Sequence, residues 1–132
     1  MKYIVLGYNP EKFEDMSESE RNAMVDECFA YDAELRKNGS WAGGEALQPA
    51  NMAMTVALKN GKVTVTDGPF VETKEQLGGI LMLEARDLNH AIQLVSQHPA
   101  VRYGAPFEIR PVGDMSEMMR ESEQRRREAA AR

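Results

Sequence analysis

Two short runs of this chain, residues 3–8 and 80–85, are apolar on both of their alternating faces. Successive side chains of a strand point to opposite sides. A strand that is apolar on both sides is therefore covered on both, and belongs in the middle of a sheet. Any fold open to this chain must place both runs centrally and supply a cover for each face.

The elements around them can be read from local signals. Residues 2–8 form the first strand, which Asn9-Pro10 ends. Ser17 followed by Glu20 has the spacing of a capping box. Met24, Cys28, Tyr31 and Leu35 then recur at helical spacing, and Asn38-Gly39 supplies a left-handed stop, which predicts a helix over 18–37. Residues 41–44, Trp-Ala-Gly-Gly, read as a loop, and residues 45–48 as a short extended segment, an optional strand stopped by Pro49. Residues 52–58 and 62–66 are strand-like and flank Lys59-Asn60-Gly61, where Asn-Gly favours a type I′ hairpin turn. Asp87 caps a second helix with Leu88, Ala91, Ile92 and Val95 on its buried side, closed at His98-Pro99. Residues 107–112 give a last strand, with Pro111 at its end or on an edge.

The resulting order, β-α-β-β-β-α-β, predicts an α+β fold: a ferredoxin-like antiparallel sheet with two helices on one face. The other face of the sheet then needs a cover, and a second copy of the chain is the expected one. The domain is expected over residues 1–113. Residues 114–132 carry five acidic side chains against five arginines and little apolar periodicity, which suits a solvated helix, a dimer-stabilising arm or a frayed tail.

Charge and composition narrow the function. A net charge of −5 argues against direct binding of nucleic acid, which needs a basic face. No apolar run approaches the ~20 residues of a membrane span, and no secretory signal is apparent, so a cytoplasmic location with no membrane partner is expected. Cys28 is the single cysteine; on the helix stripe it reads as a small core hydrophobe. His90 and His98 are expected at the surface or at helix ends. No metal motif, phosphate loop or dinucleotide fingerprint is present, so neither metal nor cofactor is expected.

Asp67-Gly68-Pro69-Phe70 is the most distinctive turn. Gly68 and Pro69 supply special backbone angles, and Phe70 is expected to anchor the loop in the core. Asp67 either caps its own turn or acts as a general acid/base at a strand end. Just beyond it, Glu72 and Lys74 share one face if the stretch is extended. They either line a polar pocket, pairing with each other or with Arg110, or are simply solvated. Trp41, Tyr8 and Tyr103 either line an apolar pocket or belong to the core or a dimer interface.

The run from Val65 to Gly79, containing Asp67-Gly68-Pro69-Phe70-Val71-Glu72-Thr73-Lys74, closely resembles the signature of the YCII-related, or DGPF-domain, family. Residues 34–39, 44–49 and 108–112 add flanking resemblances in the same order. The resemblance implies a dimeric α+β barrel, in which two ferredoxin-like halves pack sheet to sheet. It also implies small-molecule binding in a cleft between helix and sheet, with a His/Asp pair in enzymes related to the family. Some members are labelled transcription-initiation proteins, which implies a sigma factor of the extracytoplasmic-function type as an alternative partner. Family members often carry a histidine where this chain has Gln48, which can hydrogen-bond but cannot titrate near neutral pH. The expected function is thus a homodimeric small-molecule-binding domain or cofactor-free enzyme. Asp67 is its expected catalytic residue, and Glu72, Lys74, Gln48 and Trp41 are its expected ligand contacts.

Overall fold

The structure is a computed structural model that describes residues 1–71 and 75–132. In chain order its main elements are β1 (Lys2–Tyr8), α1 (Glu18–Lys37), β2 (Trp41–Ala46), β3 (Met54–Lys59), β4 (Lys62–Asp67), β5 (Leu77–Glu84), α2 (Leu88–Ser96), the short α3 (Pro99–Arg102), β6 (Phe107–Pro111) and α4 (Ser116–Ala130).

The two doubly apolar runs do pair at the centre. β1 lies antiparallel to β5, with Tyr3 opposite Leu83 and Val5 opposite Leu81. β6 flanks β1 and β2 flanks β5, giving the order β2-β5-β1-β6. This is a ferredoxin-like sheet. Tyr3, Val5 and Leu83 point to the helix side, where they are essentially inaccessible and meet Leu35 of α1 and Ala91 and Val95 of α2. Burying such side chains contributes about 1.5–3 kcal/mol each. The opposite face carries Ile4 against Met82 and Leu6 against Ile80, all four only partly buried.

Local signals fix the helix ends. The Ser17 side chain accepts from Glu20 N–H, and the Glu20 side chain accepts from Ser17 N–H, completing the capping box. At the other end Gly39 takes φ +75°, Ser40 N–H donates to Leu35 C=O, and Gly39 N–H donates to Arg36 C=O. This pair of bonds is the Schellman arrangement, which needs a residue tolerant of left-handed geometry.

Three expectations are corrected. Residues 41–44 are strand rather than loop, because their backbone pairs with β5 through a bulge between Trp41 and Gly43. The segment read as optional is therefore the edge of the main sheet. The hairpin β3–β4 instead forms a separate two-stranded sheet. Its turn is as expected, with Asn60 and Gly61 both at positive φ. Phe70, expected in the core, is 84% exposed, since the hairpin it follows forms a sheet of its own, separate from the four-stranded one. One hairpin face carries Met54, Val56, Leu58, Val63 and Val65 in cross-strand register, and all five are exposed. α4 is solvated along its length, with no buried residue.

Candidate active site

Two cavities flank the end of the sheet where β1 meets β5. The larger, about 820 Å³, lies at the root of the hairpin. Its walls include Tyr8, Gln48, Asn51, Met52, Gly68 and Gln76, and among the described residues lining it none carries a charge. The smaller, about 450 Å³, lies between α1 and the sheet and contains Cys28, Asp32, Arg36, Trp41 and His98.

α1 supplies one wall of the smaller cleft. Cys28, Asp32 and Arg36 are spaced by four, so they form a row along one face of the helix. They run beside the buried Met24–Leu35 stripe, which presses the helix onto the sheet. Trp41 forms the far wall. Its ring lies across Gly44, where an added Cβ would fall 2.8 Å from Trp41 Cη2. The Arg36 guanidinium carbon stands 4.2 Å from the Trp41 ring centroid, within cation–π range.

His98 closes the floor. It precedes Pro99, which holds it in extended geometry (φ −64°, ψ 129°), and its ring caps α3. Nδ1 accepts a hydrogen bond from Ala100 N–H at 3.2 Å. The Nδ1 lone pair is thus occupied, and the neutral ring carries its proton on Nε2. Nε2 is 3.9 Å from Asp32 Oδ1. That is too long for a direct hydrogen bond, and both side chains are largely buried, at 12% and 19% exposure. Tyr31 packs edge-on to the imidazole and Phe107 tilts against it, with centroids at 5.6 and 5.0 Å. The Tyr31 hydroxyl donates to Leu94 C=O and is held away from the pair.

Burial sets the protonation states. It holds the His98 imidazole below its ordinary range, so the ring is neutral at pH 7. It also raises the Asp32 carboxyl, an effect that Arg36 opposes. The Cys28 thiol is pushed up by burial and then by Asp32, which favours the unreactive protonated form. Among the described residues no group of three His, Cys, Asp or Glu side chains could hold a metal ion, and no helix is long and apolar enough to cross a membrane.

The residues expected from the sequence are scattered. Asp67 ends β4, exposed, and lines neither cavity. Its neighbour Gly68, at φ +96°, donates to Ala53 C=O and accepts from the Thr55 hydroxyl, closing the base of the hairpin. Gln48 lines the larger cavity and Trp41 the smaller. Tyr8 borders both, while Tyr103 borders neither. Glu72 and Lys74 lie outside the described residues. Arg110 pairs with Glu108 on its own strand. His98 does sit at a helix end, as expected, but it also faces the cleft. Asp32 is not among the residues the sequence singles out. Its signal was a carboxylate inside a helix, four residues from Cys28 and from Arg36, at a place where Asp has poor helix propensity.

The YCII-related domain profile matches residues 1–116. A relative, an uncharacterised protein of Rhizobium meliloti (strain 1021), is 30% identical over 117 residues, covering 85% of this chain and 92% of its own length. Among solved structures, 5-chloro-2-hydroxyhydroquinone dehydrochlorinase of Burkholderia phenoliruptrix, in complex with 2,5-dihydroxybenzoquinone, aligns with a TM-score of 0.46 at 14% identity, over 86% of this chain and 94% of that one.

Proposed function

This chain belongs to the YCII-related domain family, and from that premise we propose that it binds a small organic molecule in the cleft between α1 and the sheet and moves a proton on it. The observation that carries the reading is the division of labour between His98 and Asp32. His98 is neutral, and its Nδ1 is committed to Ala100 N–H. It offers the cleft a hydrogen-bond donor, Nε2–H, rather than a base. Asp32, with its carboxyl raised by burial, is the group able to take a proton. A ligand oxygen beside Nε2 would receive the donor while an acidic proton on the same ligand passes to Asp32. Charge that develops on that oxygen is then stabilised by a fixed, water-poor donor. No bound cofactor is needed for such a transfer.

Asp67 takes second place as the centre of chemistry. It is solvated, and the hydrogen bonds around it belong to Gly68.

The active form in this proposal is a homodimer. Ile4, Leu6, Ile80 and Met82 form an apolar sheet face left partly open by the single chain, and the bare hairpin face is a second surface a partner copy would cover. Light scattering at micromolar concentration should give twice the 14.8 kDa chain mass.

The functional test is a panel of small carbonyl compounds followed through the His98 ring signals by ¹H–¹⁵N NMR in deuterated and ordinary water. Binders should shift His98, and at least one should exchange a carbon-bound proton for deuterium in a manner abolished by Asp32→Asn. If nothing in the panel disturbs His98, the reading is wrong.

A further inference from the structure

We infer that the cleft selects organic anions, and that Arg36, laid against Trp41, is the residue that anchors their negative group. The inference rests on the proposed small-molecule cleft and adds the chemical class of its ligand.

Among the described residues lining the cleft Arg36 is the one fixed cation. His98 is neutral, so among the described residues lining the cleft no other positive group can meet an anion. Arg36 makes no side-chain hydrogen bond or ion pair among the described residues; its guanidinium carbon stands 4.2 Å from the Trp41 ring centroid, and it acts on Asp32 through space alone. Stacking on an aromatic ring engages the face of the guanidinium and leaves its in-plane N–H groups at the rim. Those donors match a carboxylate or another planar oxyanion in two-pronged fashion. The stack also limits the freedom of a long side chain, so less entropy is lost when a ligand binds.

The geometry sets the size of the ligand as well. Arg36 follows Asp32 by one helical step of four residues, about 6 Å along the axis. A molecule anchored at Arg36 with its reacting atom at Asp32 and His98 must span about that distance, the length of one six-membered ring with its substituent. Trp41, Phe107 and Phe29 give the walls flat apolar surface for such a body. Asp32 and Glu45 lie in the same cleft and disfavour a second negative charge, so the ligand carries one anionic group.

Benzoate, benzamide and benzylamine are probes of nearly equal shape and different charge. Each would be titrated into ¹⁵N-labelled protein, following the single tryptophan indole N–H and the His98 ring. Benzoate should shift both saturably with a Kd of roughly millimolar order, the scale of a fragment. Benzamide should bind at least about tenfold more weakly, as expected when a charge-assisted bond is replaced by a neutral one. Benzylamine should leave both signals in place. Arg36→Gln should weaken benzoate at least about tenfold, and Arg36→Lys should fall between, keeping charge but losing the planar fork. Equal affinity for benzoate and benzamide overturns the inference, as does full benzoate affinity in Arg36→Gln or the absence of a saturable benzoate response. If neutral carbonyl compounds still shift His98 in any of those cases, the anion anchor alone falls and the cleft keeps its proposed role.

Discussion

The cavity at the hairpin root is nearly twice the volume of the cleft under α1, about 820 against about 450 Å³, yet the two differ more in their walls than in size. The larger is bounded mainly by the connection between β2 and β3 and the base of the hairpin. Its polar groups are amides and a phenol, and none of its described lining residues is charged. The smaller is bounded by a capped helix and the central strands. Asp32 and His98 are held there by packing, and burial raises the carboxyl and lowers the imidazole. Volume records where the chain leaves space. Chemistry needs groups that are held still and kept from water.

The comparison can be broken most forcefully at the packing beneath each cavity. Leu35 is 2% exposed behind the Asp32 row, so Leu35→Ala should cost about 2–5 kcal/mol in urea unfolding. Leu47, 45% exposed on the wall of the larger cavity, should cost less than about 1 kcal/mol on the same substitution. Similar losses at both sites would mean the two cavities are equally embedded.

The glycines give the next effect. A Cβ at Gly44 would strike the Trp41 ring at 2.8 Å and come within 3.2 Å of Ile80 C=O. Gly44→Ala should therefore cost about 1–3 kcal/mol and shift the emission of the sole tryptophan. Gly68→Ala meets no atom within 4 Å among the described residues, and its φ of +96° opposes it. It should cost about 1 kcal/mol and leave that emission unchanged.

A pH series sharpens the contrast. Well above pH 6.5, the ordinary histidine value, His98 is neutral in both the folded and the unfolded chain. As the pH falls below 6.5 the unfolded chain takes the proton first, so stability drops until the folded ring protonates. Asp32 has the opposite slope: its folded carboxyl is raised above 3.8, so stability falls as the pH climbs from 3.8 through the folded value. The difference between wild type and His98→Asn, which keeps a capping oxygen, isolates the histidine. The Tm of the variant should fall less between pH 7.5 and pH 5.

The smallest expected effect is at Asp67. Asp67→Asn should change stability by no more than about 0.5 kcal/mol and leave the His98 ring signals where they are. A moved His98 signal, or a lost ligand response, would return the hairpin base to the centre of the chemistry.

The architecture was legible because its signals are local or periodic. Ser17 and Glu20, Asn38-Gly39, Asn60-Gly61 and Asp87 each act through bonds to near neighbours, and each forms as read. Residues 41–44 resemble a loop in sequence because their two glycines imitate one. What makes the segment a strand is β5, some forty residues away in sequence, together with a ring that needs Gly44 bare. The site was hidden for a related reason. Asp32 and His98 have unremarkable sequence neighbours, and their meeting depends on how α1 and α3 dock. The Asp-Gly-Pro turn drew attention because its composition is unusual, and the structure uses that composition for a bend in the backbone.

The sheet order also has a consequence in time. β1 leads the chain but takes its partners from residues 77–84 and 107–111, so the centre of the sheet cannot close until distant segments arrive. The hairpin needs only its own residues and can form in about 1–10 μs. Closing the sheet carries the slower cost of long loops. The hairpin, whose aliphatic face is bare, has the shortest loop to close, so the segment with the least entropic cost of closure is also the one with most need of a neighbour.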